Sequence, residues 1–136
     1  MKRNIIITID ESKIDKEHIH INNMSSIVNY SCDSVTIDCL EYLEETNHHL
    51  VLSHLTNKIR LNGKLILKIN NSDSICTKFL QKTISNQEFL NFFSNKRSLI
   101  SVENIYSIID FKIFDLMDLD ISENAIKIVL ERKNYE

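Results

Sequence analysis

The fold is decided by residues 31–69, which read SCDSVTIDCLEYLEETNHHLVLSHLTNKIRLNGKLILKI. At its start Val35, Ile37 and Cys39 alternate with polar residues, which predicts a strand. Apolar residues then recur every three to four positions over residues 40–59, which predicts an amphipathic helix. Asn62-Gly63 is expected to end that helix in left-handed geometry, and residues 64–69 predict a second strand covered on both faces. A strand, a helix and a strand at this spacing form a right-handed parallel crossover unit.

Shorter elements are predicted on both sides of this unit. A β-branched run at residues 5–9 predicts a buried strand, and the alternation around Ile19 and Ile21 predicts a short one. Apolar stripes predict three helices farther along, over residues 75–84, 85–93 and 101–109, with a capping box at Ser85 and Glu88 and an N-cap at Ser101. The last two strands, residues 111–117 and 125–130, are close enough in sequence to form an antiparallel hairpin.

Composition restricts the class of protein. A chain of 136 residues with 43% hydrophobic content holds one core, so we expect a single domain over residues 1–136. The net charge of −3 includes no basic block, so nucleic-acid binding is not indicated. No apolar run approaches the length of a membrane span or a secretory signal, which predicts a cytoplasmic protein without a membrane partner. The three cysteines have no paired spacing and are expected to be reduced thiols of the core.

Three segments together carry a resemblance to a known family. Asp33-Ser34-Val35, the segment Leu40-Glu41-Tyr42-Leu43 and the run NGKLIL at residues 62–67 resemble the fourth strand, the following helix and the fifth strand of class I S-adenosylmethionine-dependent methyltransferases. Residues 101–113, SVENIYSIIDFKI, resemble the family's penultimate helix and strand, although Asp110 stands where a glycine is frequent. The resemblance covers most of the chain. It implies an α/β fold: a three-layer Rossmann-like mixed sheet, mostly parallel, with a C-terminal antiparallel hairpin.

The resemblance fails where the family holds its cofactor. There a glycine-rich turn follows the first strand, and an acidic residue at the end of the second strand binds the ribose. If residues 5–10 are the second strand, Asp10 stands at the ribose position and the chain is N-terminally truncated. If they are the first strand, the loop reads DESKID and has no glycine. Either alignment removes the backbone cradle of the cofactor. The segment DCLEY after the predicted fourth strand also has no proline, which argues against an amino-group methyltransferase of nucleic acids or proteins.

The resemblance still assigns candidate site residues, without naming a catalytic one. If the cofactor site is retained, Asp10, Asn23, Met24 and Asp38 would contact S-adenosylmethionine, and Glu41 and Tyr42 would lie on the substrate side. For the acidic residues, capping of a turn or helix is the ordinary alternative.

Two further sets of side chains are candidates for binding. Phe92 and Phe93 lie beside a polar loop and are expected to form an interface, against the alternative of a core role at helical spacing. The histidines lack a pattern such as HExxH and are expected to be exposed, so no metal site is predicted.

These observations favour a degenerate, non-catalytic methyltransferase-like protein. Such a pseudoenzyme would act through protein–protein contacts, as a homo-oligomer or as the partner of an active enzyme, with no cofactor of its own. The competing hypothesis is an S-adenosylmethionine-dependent methyltransferase whose cofactor site is completed by another subunit. An enzyme of unrelated chemistry in the same crevice is a third possibility. If the family's first strand is absent, its two neighbours must pair directly within the chain or with another chain.

Overall fold

The computed structural model describes residues 2–94 and 96–135, and a mixed β-sheet forms its centre. The strands within those residues are β1 (Asn4–Thr8), β2 (His18–His20), β3 (Cys32–Ile37), β4 (Ile59–Asn70), β5 (Phe114–Ile121) and β6 (Ala125–Arg132). The helices are α1 (Glu45–Thr56), α2 (Ser72–Leu80), α3 (Asn86–Phe93) and α4 (Val102–Ile108). No helix of the described residues is long and apolar enough to cross a bilayer.

The strand order in the sheet is β2-β1-β3-β4-β6-β5. The first four strands in this order are parallel, whereas β6 is antiparallel to both β4 and β5. The predicted mixed sheet with a C-terminal antiparallel pair is therefore confirmed. Strand β1 pairs directly with β3, with Ile6 opposite Thr36. A neighbour for β1 on this side is thus supplied within the chain.

Helices cover one face of the sheet. Val51, Leu52 and Leu55 of α1 and Ile105 of α4 are buried in one hydrophobic cluster. The sheet side chains in the same cluster share one face by register: Ile5, Ile7, Val35, Ile37, Leu65, Leu67, Ile128 and Leu130. Burial of this apolar surface is the main favourable term for folding. This packed layer therefore fixes the positions of the strands and of the residues at their ends.

The central helix is shorter than predicted at both ends. Leu40–Tyr42 forms a single 3-10 turn, and α1 begins only at Glu45. At the other end, α1 stops at Thr56 and β4 already begins at Ile59. Asn62 does have the predicted left-handed backbone, with φ of 64°, but it lies inside β4. The prediction that Asn62-Gly63 ends the helix was therefore wrong, because the apolar residues up to Ile59 suit either element.

Strand β4 is covered on one face only, contrary to prediction. Leu65, Leu67 and Ile69 are buried, whereas Lys64 and Lys68 are exposed and Ile66 is half-buried. The two lysines alternate with the buried residues, which is the pattern of a strand with one solvated face. We call this second side of the sheet the open face. On β1, β3, β4 and β6 it carries Asn4, Ile6, Thr8, Ser34, Thr36, Lys64, Ile66, Lys68, Asn70, Ala125, Lys127, Val129 and Glu131.

The predicted third layer is thin. The step from β1 to β2 runs across the sheet in the opposite direction to the step from β3 to β4. Right-handed crossovers therefore place residues 9–17 on the open face and α1 on the other. In those residues the helical content is the 3-10 turn Glu11–Lys13. Ile6, Ile66 and Val129 are half-buried and belong neither to the core cluster nor to the described side chains packed against it.

Two capping predictions are confirmed, and β5 is displaced. Ser85 Oγ accepts from Glu88 N at 3.1 Å, and Ser101 Oγ accepts from Asn104 N at 3.1 Å, as each helix start requires. Strand β5 begins three residues later than predicted, at Phe114. The loop residues before it are fixed by Asp110, whose side chain accepts from Lys112 N at 2.9 Å.

Two expectations about burial were wrong. Cys32 and Cys39 are buried as predicted, but Cys76 is exposed because no residue of its helix α2 is buried. His48, expected at the surface, is buried. Its Nε2 lies 2.9 Å from Leu40 O and 2.9 Å from Ser98 Oγ. These partners satisfy the ring inside the core, where periodicity alone gave no reason to place it.

Candidate functional site

A crevice lies at the carboxyl ends of the central strands. The chain leaves β1 towards one edge of the sheet and leaves β3 towards the other, so the order reverses between these two strands. Ligands of open α/β sheets bind at such a switch point. A cleft of about 490 Å³ lies there, lined by Thr8, Ile9, Asp10, Asp38, Cys39, Tyr42, Lys68, Ile69, Asn70 and Ala125.

Asp10 lies at the end of β1, as predicted. Its Oδ1 accepts from Ser12 N at 3.0 Å and from Ser12 Oγ at 2.7 Å, so it caps the 3-10 turn Glu11–Lys13. Asp10 N in turn donates to Thr8 Oγ1 at 3.0 Å. The ordinary capping role and a position in the cleft therefore coexist in one side chain, which is held by local hydrogen bonds before any ligand arrives.

Asp38, Cys39 and Tyr42 come from the turn after β3. Asp38 and Tyr42 are exposed to the cleft, whereas Cys39 is buried. Burial, assisted by the neighbouring Asp38 charge, raises the pKa of the Cys39 thiol to about 12. Because the thiolate is the reactive form of cysteine, Cys39 is inert at neutral pH and serves packing.

Lys68 and Asn70 complete the cleft, and sequence reasoning missed both. They are the last open-face residues of β4, so they reach the carboxyl edge together with Asp10 and Asp38. Lys68 brings an ammonium group to a cleft that otherwise carries two carboxylates. The available signal was their place at the end of a predicted parallel strand, where ligand-binding side chains concentrate.

Glu41 is a buried residue that fixes the position of a cleft residue, Asn70. It is only 2% exposed and does not line the cleft, although its neighbour Tyr42 does. Its Oε1 accepts from Asn70 N and from Asn70 Nδ2, each at 2.8 Å, which fixes the amide of Asn70. Glu41 Oε2 is buried and has no hydrogen bond among the described residues. A direct contact between Glu41 and a substrate stays a prediction.

Asn23 and Met24 lie apart from the cleft. Both belong to the 3-10 turn Ile21–Ser26 after β2. Met24 is partly buried against the core, and Asn23 O accepts from Ser26 Oγ at 2.7 Å. Of the predicted cofactor and substrate residues, the structure brings Asp10, Asp38 and Tyr42 together and leaves Asn23, Met24 and Glu41 outside the lining.

Phe92 and Phe93 belong to an aromatic cluster of α2 and α3. The rings of Phe79 and Phe89 stack with centroids 4.2 Å apart, and Phe93 lies 5.0 Å from Phe89 and 4.9 Å from Phe92. Lys96 Nζ lies 3.7 Å from the centroid of the Phe92 ring. Both predicted interface residues are half-buried and serve first to hold this helical hairpin together. An interface role stays a prediction.

Metal binding finds no support in side-chain clustering. Within residues 2–94 and 96–135, no three histidine, cysteine, aspartate or glutamate side chains lie close enough to hold one ion.

Comparison with known proteins identifies the fold. No protein-family model matches the chain, and no curated protein matches it. Among solved structures, the PH0226 protein from Pyrococcus horikoshii OT3 is similar over 96% of this chain and 72% of its own, with a TM-score of 0.65 and 15% identity. A SAM-dependent methyltransferase from Archaeoglobus fulgidus is similar over 93% of this chain and 75% of its own, with a TM-score of 0.63 and 12% identity.

A third solved structure contains a cofactor product. The plantazolicin methyltransferase BpumL, in complex with a monoazolic desmethylPZN analog and SAH, covers 96% of this chain over 67% of its own, with a TM-score of 0.63 and 13% identity. At these identities the likeness defines the fold alone. The chain therefore has the Rossmann-like fold of S-adenosylmethionine-dependent methyltransferases, as the sequence resemblance implied.

Proposed function

We propose that this chain is a degenerate, non-catalytic methyltransferase-like protein that acts through protein contacts, as a homo-oligomer or as the partner of an active enzyme. The observation that carries the proposal is the turn after β1. There the backbone forms the 3-10 turn Glu11–Lys13, capped by Asp10, and residues 9–17 contain no glycine.

The chemistry of this turn disfavours a nucleotide-like cofactor. A glycine-rich turn lets the backbone N–H groups approach the ligand closely. Here the Asp10 carboxylate already accepts from Ser12 N, and Thr8 Oγ1 accepts from Asp10 N. The one glycine of the chain, Gly63, lies toward the opposite, N-terminal end of β4. Both donors are therefore occupied within the turn, and every residue of the turn carries a side chain.

Isothermal titration with S-adenosylmethionine and with S-adenosylhomocysteine tests the proposal. We expect no saturable heat with either compound, and the mass of the same sample in solution separates a homo-oligomer from a monomer that requires another protein. Saturable binding of either compound to the chain alone would overturn the pseudoenzyme proposal.

A second candidate is an S-adenosylmethionine-dependent methyltransferase completed by another subunit. The cleft itself favours it, because Asp10 ends β1 beside an open volume of about 490 Å³. In this case Asp10→Ala should weaken cofactor binding by the completed assembly, whereas Glu11→Ala, one residue farther into the same exposed turn, should not. Equal affinity for both variants would remove Asp10 from the cofactor site.

A further inference from the structure

The open face has a row of three apolar side chains and one threonine across its middle. Register places Ile6 opposite Thr36, Thr36 opposite Ile66, and Ile66 opposite Val129, so four adjacent strands contribute one side chain each. All four side chains are half-buried. Sheets built of parallel strands are ordinarily covered on both faces, and on this face the crossover from β1 to β2 supplies the short connection over residues 9–17.

Charged side chains flank the row on β4 and β6, which lie farther from the connection over residues 9–17 than β1 does. Lys68 and Lys127 are directly opposite each other on β4 and β6, on the carboxyl side of the row. On its amino side Lys64 is opposite Glu131. All three lysines are exposed. We call the part of the open face on β3, β4 and β6 the floor. It therefore combines an apolar centre with a net positive charge.

The dimensions of this floor select one helix. Three strands span about 10 Å from the first axis to the third, which matches the diameter of about 10 Å of one α-helix. Residues 9–17 bound the floor on the β1 side. On the other side β5 presents Asp115, Asp118 and Asp120 in register with Glu131, Val129 and Lys127. A second, wide sheet would meet both borders, whereas a single helix fits between them.

We propose that the open face binds an amphipathic helix of a partner protein, with its apolar stripe on Ile66 and Val129 and carboxylates flanking the stripe. The carboxylates meet Lys64, Lys68 and Lys127, and the three aspartates of β5 repel a helix that shifts towards the edge. This inference rests on the proposed function, because it specifies the chemistry of the partner through which the chain acts.

Two synthetic helical peptides of about five turns test the proposal by fluorescence anisotropy. They share one leucine stripe and differ only in the residues beside it, glutamate in one and lysine in the other. We expect saturable binding of the glutamate peptide, at least roughly tenfold tighter than of the lysine peptide at low salt and less so at high salt.

Protein variants assign the binding to this face. Lys68→Glu with Lys127→Glu should reverse the preference between the two peptides. A matched control, Lys82→Glu with Lys112→Glu, changes the net charge equally at exposed positions off the open face and should preserve the preference. Ile66→Asp should abolish binding of both peptides, and circular dichroism establishes whether this variant is folded. If it is not folded, the test of the proposal is the variant with Lys68→Glu and Lys127→Glu.

Three outcomes would overturn the proposal. In the first, neither peptide binds the folded protein; in the second, the control variant reverses the preference as strongly as the Lys68 and Lys127 variant. In the third, the protein dimerises by itself and Ile66→Asp abolishes the dimer. The last result would assign the face to a second copy. Each result is separable from failure of the proposed function, because cofactor titration is measured without a peptide. Cofactor binding with intact peptide selectivity would refute the pseudoenzyme and leave the docking surface.

Discussion

Gly63 lies close to the backbone of β3, and its φ is not positive. A Cβ at this position would lie 2.9 Å from Cys32 O and 2.9 Å from Arg60 O, which are backbone atoms that cannot move independently. We therefore expect Gly63→Ala to lower the free energy of unfolding by about 1–3 kcal/mol, the usual cost of overpacking. Urea unfolding followed by circular dichroism measures the change.

The neighbouring residue supplies the control. Asn62 has a φ of 64°, a region that glycine adopts without strain. Asn62→Gly should therefore leave the stability unchanged within about 1 kcal/mol. Equal destabilisation by both substitutions would show that this stretch of β4 tolerates no change. It would contradict the explanation that the Cβ added by Gly63→Ala clashes with the backbone.

Arg132 is a buried cation whose hydrogen bonds within the described residues all go to backbone carbonyls. Its guanidinium donates to Thr56 O at 2.7 Å, Asn134 O at 2.9 Å and Tyr135 O at 3.0 Å. Thr56 ends α1, where the helix dipole favours a cation. Arg132→Met should lower the stability by about 2–4 kcal/mol because these carbonyls lose a charged donor. Arg132→Lys should rescue it only partly, since an ammonium does not reproduce the planar fork.

Thermal unfolding monitored by circular dichroism compares these two variants with Lys133→Met. Lys133 is the next residue along and is exposed, so its substitution should shift the midpoint little. A small effect of Arg132→Met, similar to that of Lys133→Met, would contradict a structural role for the buried guanidinium.

At the scale of elements, the Asp15 carboxylate holds the end of the connection between β1 and β2. Asp15 Oδ1 accepts from Glu17 N and from His18 N, each at 2.8 Å, and it lies 3.0 Å from His18 Nδ1. The hydrogen bonds from His18 and then from Glu17 lower the pKa of Asp15 from 3.8 to about 2. The charged form is therefore favoured in the folded state.

The sign of this shift determines a pH dependence. Because the folded pKa is the lower one, the stabilisation is present above pH 3.8 and is lost as the pH falls towards about 2. Asp15→Asn should be less stable than the wild type at pH 5, and the two proteins should converge near pH 2. Urea titrations across this range measure the difference, with Glu11→Gln as an exposed control. A constant difference at every pH would contradict the assigned cause.

The elements that local chemistry specifies were predictable from the sequence. The capping box of α3, the N-cap of α4 at Ser101 and the closing hairpin depend on short stretches of sequence and are confirmed. The boundary between α1 and β4 was not, because the apolar residues of residues 51–59 satisfy helix and strand alike. The irregularity of β4 around Asn62 coincides with a shift in its register against β3, and the whole of α1 separates these two strands in the sequence.

At the scale of the molecule, the switch point and three cleft residues followed from the order of the elements. Asp10, Asp38 and Tyr42, which the resemblance assigned to the cofactor and the substrate side, line one cleft. Lys68 and Asn70 were missed because their relevance depends on strand register. Asn23 and Met24 do not line the cleft because their position depends on packing after β2. The open face was not predicted either, because strands rich in β-branched residues suggest a sheet that is covered on both sides. Only the strand order, together with the handedness of the crossovers, shows which segments lie on which face.

At the scale of the whole molecule, we expect α2 and α3 to be less stable locally than α1 and α4, which contain buried residues. Neither α2 nor α3 contains a buried residue, and Leu80 and Leu90 are 80% and 60% exposed, whereas β3 and β4 lie in the core cluster. We expect amide hydrogen exchange in α2 and α3 through local opening, well before exchange in β3 and β4. Mass spectrometry of exchanged peptides distinguishes the two rates.

Ser85→Ala sharpens this test because it removes the N-cap of α3. Loss of about 1 kcal/mol of local stability should accelerate exchange in α3 severalfold and leave β4 unchanged. Acceleration in β4 to the same degree would show that the hairpin unfolds only with the rest of the protein. If Phe92 and Phe93 form an interface, dilution of the protein should accelerate exchange in α3 as well, since dissociation of the assembly would expose the hairpin to local opening.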